Sequence, residues 1–284
     1  VSVDPFHIPS HVPAFEALVA DYEAASEATR AELPSQLNVA YGEGRDEKLD
    51  LFFPQSAHAG LRPIHMFIHG GYWRAQSKDR YAFLAKEVTA AGAIAAIIDY
   101  SLMPKARMAT LVDQTRRAAR WLSEHAATFG GDGEAVSASG HSAGGHLASY
   151  LLARGPCESD GAPLVRSALL VSGLYDLAPL AKSFLQSEVG FTDEEVASWS
   201  PVLGRPSAGV AVTLVVGSVE TAPFHEQMSA YAGVLQTAGS RVTTATPAGE
   251  DHMTIVRSLG QAGTECATLL CETIDASRSF LFSA

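Results

Sequence analysis

Ala135-Val136-Ser137-Ala138-Ser139-Gly140-His141-Ser142-Ala143-Gly144 is the stretch from which the fold is read. Ala135–Ala138 is a short apolar run of strand type, and Gly144–Arg154 has a helical pattern. Between them stands G-x-S-x-G, in the strand–turn–helix context that a nucleophile elbow requires. So sharp a turn leaves Ser142 on a strained backbone and needs small neighbours. Gly140 and Gly144 supply them, with no Cβ between strand and helix. The opening of the helix turns N–H groups and the positive end of its dipole toward the hydroxyl. The bland alternative is an ordinary Gly/Ser turn; the context favours Ser142 as a nucleophile.

Outward from this elbow, short apolar runs alternate with longer amphipathic patterns. Leu49–Phe53, Ile64–Ile68, Ala93–Ile98, Ser167–Val171, Val210–Val216 and Arg241–Ala245 read as strands. Asp79–Ala91, Thr110–Phe129, Pro223–Ala238 and about Met253–Phe282 read as helices. Strands apolar on both faces, alternating with helices, predict an α/β fold: a mostly parallel sheet covered by helices on both faces. Residues 1–36 form an N-terminal helical segment packed on the core, with a helix over Ala14–Leu33 and Phe15, Leu18, Val19 and Tyr22 on one stripe. Residues 37–284 form the main domain, in which 155–206 reads as an insertion contributing pocket or lid residues.

Ligands of such sheets sit beyond the carboxyl ends of the strands, so chemistry is sought just after each strand. His69-Gly70-Gly71-Tyr72-Trp73 follows Ile64–Ile68. Attack on a carbonyl builds negative charge on its oxygen, and preorganised N–H groups stabilise it. Gly70 and Gly71 are the expected donors, with Ala143 after the nucleophile. His69 is better read as a buried brace of that loop. A serine nucleophile also needs a base, and the base a carboxylate that holds its tautomer. In folds with this elbow the chain order is serine, acid, histidine. His252, in Gly249-Glu250-Asp251-His252-Met253 after the last strand, is the expected base; His225, early in a helix, is the poorer choice. Glu220 is the carboxylate of the loop after Val210–Val216 and the expected acid, with Asp176 its rival; Asp251 reads as a loop former. Tyr72, Trp73, Tyr100, Tyr175 and Phe224 are candidate walls of an apolar substrate pocket, each equally readable as core.

Composition excludes other classes. Of 284 residues 47% are apolar and 18% charged, which is neither a disordered nor a fibrous chain. The net charge of −11 repels phosphate backbones and anionic lipid, so neither nucleic acid nor membrane is an expected partner. The near-apolar stretch Val88–Ile98 falls short of the ~20 residues a bilayer demands. The opening residues lack a signal-peptide pattern, and Cys157, Cys266 and Cys271 match no metal spacing, so a reduced, cytoplasmic chain is expected. His65 and His69 have no Asp, Glu or Cys clustered beside them, so no metal is expected. The oligomeric state is open; a homodimer is compatible with the chain.

Set together, His69–Trp73, Asp99-Tyr100-Ser101-Leu102-Met103-Pro104, Phe129-Gly130-Gly131-Asp132, Gly140–Ala148, Glu220-Thr221-Ala222-Pro223-Phe224 and Asp251–Val256 resemble the α/β-hydrolase superfamily. Within it the chain is similar to the serine kynurenine formamidases and the hormone-sensitive-lipase-like carboxylesterases with an HGGG motif. The resemblance runs from about Tyr41 to Leu259. Two departures stand out: Glu220 where aspartate is commoner, and Ser101 and Met103 in a loop that usually carries other residues. It implies a serine-dependent hydrolase of a small-molecule carboxylic ester, with no cofactor. An arylformamidase acting on N-formylkynurenine or a related aryl formamide is the alternative. A non-catalytic binding module is the minor third, since such proteins usually have a broken triad.

Overall fold

The computed structural model describes residues 3–56, 60–152 and 163–278. The order is α1 (Phe15–Glu32), β1 (Ser35–Ala40), β2 (Lys48–Phe52), β3 (Arg62–Ile68), α2 (Ala85–Ala90), β4 (Ile94–Ile98), α3 (Met108–His125), β5 (Gly131–His141) and α4 (Ala143–Ser149). Then come β6 (Ser167–Val171), α5 (Gln186–Val189), α6 (Asp193–Ser198), β7 (Ala211–Val215), α7 (Ala222–Thr237), β8 (Arg241–Ala245), α8 (Thr254–Leu259) and α9 (Glu265–Arg278). The eight strands form one sheet in the order β1-β2-β4-β3-β5-β6-β7-β8. β1 and β2 run antiparallel to their neighbours and the remainder are parallel. Every residue of β4 and of β6 is buried, as strands covered on both faces must be. The expected α/β-hydrolase architecture is therefore the observed one.

Register brings the loops together. Ile68 pairs with Gly140, His141 with Val171, Val171 with Val215 and Val215 with Ala245. The carboxyl ends of five parallel strands thus end level, and the segments after them converge on one edge of the sheet.

Three elements depart from expectation. β1 gives no strand signal in the hydropathy pattern, although Val39 and Ala40 fall in the stretch that resembles the first strands of the hydrolase group, because it is an edge strand with mostly exposed residues, bent by a bulge between Gln36 and Val39. Asp79–Ala91 is not one helix but two 3₁₀ turns, Lys78–Arg80 and Ala82–Leu84, followed by α2. Lys78 is drawn into the interior by Asp50 at 3.0 Å and its backbone N–H donates to Asp99 at 2.6 Å, which fixes a path that a regular helix could not follow. β5 begins at Gly131, four residues ahead of the expected Ala135, because Gly131 already pairs with Arg62. Arg154, Cys157, the start of the 155–206 stretch and the end of the expected C-terminal helix at 279–282 lie outside the described residues. Cys266 and Cys271 are free thiols. Among the described residues no helix is long and apolar enough to cross a membrane.

Candidate active site

Ser142 sits at the joint of β5 and α4 with φ 57° and ψ −119°, a conformation that residues other than glycine rarely adopt. Its neighbours show why the turn closes. A Cβ on Gly140 would lie 2.2 Å from the Gly144 carbonyl oxygen, and one on Gly144 would lie 2.0 Å from that of Ile68. Both contacts are with backbone, which cannot swing aside. Gly144→Ala is accordingly expected to lower unfolding free energy by about 3 kcal/mol, read as a lower denaturant midpoint at unchanged slope.

The loop 69–73 lies directly against this turn. A Cβ on Gly70 would stand 3.2 Å from the Ser142 Cβ. Gly71, Tyr72 and Trp73 are all left-handed, with φ of 104°, 51° and 59°. Among the described residues neither Gly70 nor Gly71 gives its backbone N–H to a protein acceptor. The N–H of Ala143, first residue of α4, has no intrahelical partner by geometry. His69 braces the loop, with its ring stacked on Tyr100 at 4.3 Å and its Nδ1 against the Gly70 carbonyl at 2.8 Å.

His252 Nδ1 and Glu220 Oε2 are 2.7 Å apart. The Glu220 side chain is fully buried and its other oxygen accepts two further hydrogen bonds, from the Ser172 hydroxyl at 2.6 Å and the Gly217 N–H at 2.8 Å. Ser142 and His252 line the same cavity and are not hydrogen-bonded to one another; such contacts commonly tighten only with substrate bound. Asp176 is occupied in its own turn, accepting from the Ala178 N–H, and Asp251 accepts from the N–H groups of Met253 and Thr254.

Three more histidines surround the turn and each is held neutral. His146 donates from Nε2 to the Trp199 carbonyl at 2.8 Å and accepts at Nδ1 from the Trp73 indole at 3.2 Å. It thereby ties the loop 69–73, α4 and the segment after α6 together. Burial pushes its pKa down to about 4. His65 lies between the hydroxyls of Ser137 and Ser139 at 2.8 and 2.7 Å, and burial pushes it to about 3. His141 donates from Nε2 to the His252 carbonyl at 2.8 Å, and burial, then the neighbouring His252, hold it well below the usual imidazole range.

Of the five expected wall residues, Tyr72 lines the cavity and the other four do not. Trp73 is packed between His146 and Phe191, Tyr100 under His69, and Tyr175 on Tyr231, all inside the core. Phe224 packs its ring on that of His252 at 4.5 Å, behind that ring rather than on the cavity wall. Ring size and hydropathy are the same for core and wall, so composition could not separate them. The cavity is walled instead by Ile8, Phe15, Tyr81 and Phe184, together with Arg74 and Glu188. Ser172 was also unread: its part depends on the register that sets β6 beside β7.

The family model for the alpha/beta hydrolase fold matches residues 65–256. Kynurenine formamidase of Danio rerio is 31% identical over 246 residues, 85% of this chain and 82% of the relative. Carboxylesterase NlhH of Mycobacterium tuberculosis is 31% identical over 128 residues, 45% of this chain and 40% of the relative. A hyperthermophilic esterase of Pyrobaculum calidifontis has the same fold, with a TM-score of 0.72 at 19% identity over 94% of both chains.

Proposed function

The chain belongs to the alpha/beta-hydrolase family, and from that premise we propose that it is a serine hydrolase cleaving small carboxylic esters through an acyl-enzyme. The observation that carries this reading is the 2.7 Å contact of His252 with the buried Glu220, in the cavity that Ser142 also lines. In the proposed reaction the Ser142 hydroxyl attacks the carbonyl carbon and His252 Nε2 takes its proton. The N–H groups of Gly70, Gly71 and Ala143 hold the oxyanion. His252 then protonates the departing alcohol or amine. Water, deprotonated by the same ring, releases the acid and restores the serine. Glu220 keeps Nδ1 protonated, so that Nε2 is the basic nitrogen. Segments from 1–36 and 155–206 act as cavity walls in this reading, supported by Ile8, Phe15, Phe184 and Glu188 along its lining.

The likeness to kynurenine formamidase over most of both chains supports a second substrate class, aryl formamides such as N-formylkynurenine. The two separate in one assay: nitrophenyl acetate, butyrate and octanoate beside N-formylkynurenine. Turnover of the esters alone identifies a carboxylesterase; a formamide kcat/KM higher by orders of magnitude identifies a formamidase.

Ser172 belongs to the same reading as a positioning residue. Ser172→Ala removes one of the two donors that hold the far oxygen of Glu220. A charge-assisted hydrogen bond contributes about 1.5–3 kcal/mol, so kcat is expected to fall by roughly tenfold to a hundredfold with KM little changed. Steady-state kinetics on nitrophenyl butyrate checks it; an unchanged kcat contradicts it.

A further inference from the structure

Arg74 and Glu188 face each other on the wall of the cavity that holds Ser142 and His252, with Nε and Oε2 2.5 Å apart. They are the only Lys, Arg, Asp or Glu among its described lining residues. Both positions are fixed by backbone rather than left to floppy side chains. Arg74 follows the loop 69–73 and its N–H donates to the Gly71 carbonyl at 3.1 Å. Glu188 is on α5, whose last carbonyls are held by Arg107, at 3.0 Å from Val189 and 2.8 Å from Gly190. Asp4, in the N-terminal segment, does not line the cavity and is committed to the N–H groups of Phe6 and Phe184.

The Arg74 and Glu188 side chains are 35% and 38% exposed. Ion pairs that wet contribute little and open at little cost. A ligand bringing two charges into the cavity would exchange them for charge-assisted hydrogen bonds shielded from water. A ligand with one charge would leave either Arg74 or Glu188 without its partner. The pair is net neutral, so a zwitterion replaces it in full. Beyond the pair and the catalytic candidates, the wall is mostly apolar and aromatic, with Phe15, Tyr72, Tyr81 and Phe184, and also carries the side chains of His7 and Gln76.

We propose that Arg74 and Glu188 form a subsite for a zwitterionic, amino-acid-like tail on the substrate, remote from the carbonyl that Ser142 attacks. This rests on the reading of Ser142 as nucleophile. Arg74 takes the tail's carboxylate and Glu188 its ammonium, while the aromatic walls take the group between tail and scissile carbonyl.

The test compares N-formylkynurenine, which carries such a tail, with 2-formamidoacetophenone, the same aryl formamide without it. Wild type, Arg74→Gln and Glu188→Gln are assayed on both. The quantity read is the ratio of the two kcat/KM values within each protein, which does not depend on the fraction folded. The expected wild-type ratio is tenfold or more, falling by about tenfold in each variant. For α-N-acetyl-N-formylkynurenine, whose ammonium is gone, Arg74→Gln is expected to weaken turnover and Glu188→Gln is not. A wild-type ratio near one, or a ratio that both variants leave intact, overturns the proposal. Calorimetric binding of the two formamides to Ser142→Ala, with and without Arg74→Gln, decides the subsite independently of chemistry. Tighter binding of the zwitterion that Arg74→Gln abolishes upholds it even where no formamide turns over. Equal binding of both compounds overturns it.

Discussion

Ser142→Ala is expected to lower kcat on nitrophenyl butyrate by at least about a thousandfold, with the protein folded and its KM near the wild-type value. The hydroxyl is the only group the substitution removes. Among the described residues it makes no hydrogen bond to protein, so the fold does not depend on it. The β-carbon stays and the left-handed backbone at φ 57° is no worse for alanine than for serine. What is lost is the atom that forms the acyl bond in the proposed mechanism. The remaining rate is that of the oxyanion N–H groups and substrate positioning acting on water, a residue of activity that serine hydrolases retain. Full activity in Ser142→Ala would remove the nucleophile assignment and the mechanism with it.

Acid is expected to unfold the protein well before most carboxylates are protonated. His65 and His146 are buried neutral with pKa values of about 3 and about 4, and the unfolded chain restores each to roughly 6.5. The unfolded state therefore binds more protons as pH drops below that value. The stability these rings contribute is fully present above it and is lost as pH falls toward their folded values. At 1.36 kcal/mol per pH unit for each ring, the loss near pH 4 is of the order of 3 kcal/mol from each. His141 adds to it in the same direction. That total is comparable with the whole stability of a typical domain. The loss has a local cause: protonating His146 at Nδ1 ends its acceptance from Trp73 and puts a charge beneath the loop 69–73. The urea midpoint, measured from pH 7.5 to 4, should fall steadily below about pH 6.5. His146→Gln should shallow the slope. A midpoint flat to pH 4.5 contradicts the account.

How much of this could be read from the chain follows from where each signal resides. β6 and β8 have the bounds their sequence predicts, since each is an apolar or β-branched run, closed by Ser172-Gly173 after β6 and by Gly239-Ser240 and Pro247 around β8. The elbow was legible because Gly140, Ser142 and Gly144 answer to a local steric demand. Glu220 and His252 were legible through chain order and loop position, and the structure brings their side chains to 2.7 Å. Of the cavity wall Tyr72 was legible and most of the residues around it were not. Ile8 and Phe15 reach it from the N-terminal segment and Phe184 and Glu188 from the segment after β6, contacts that span much of the chain and leave no local pattern. Ser172 escaped for the same reason, and Lys78 breaks an otherwise regular helical pattern because a buried Asp50 claims its charge.

The proposed mechanism puts a covalent bond on Ser142. Intact-mass spectrometry and peptide mapping after incubation with diethyl 4-nitrophenyl phosphate test it most directly. One diethylphosphoryl group per chain is expected, on Ser142, with hydrolytic activity lost in proportion to labelling and no labelling of Ser142→Ala. A modified protein that carries the label elsewhere, or a fully labelled Ser142 in a protein that still hydrolyses esters, would contradict it.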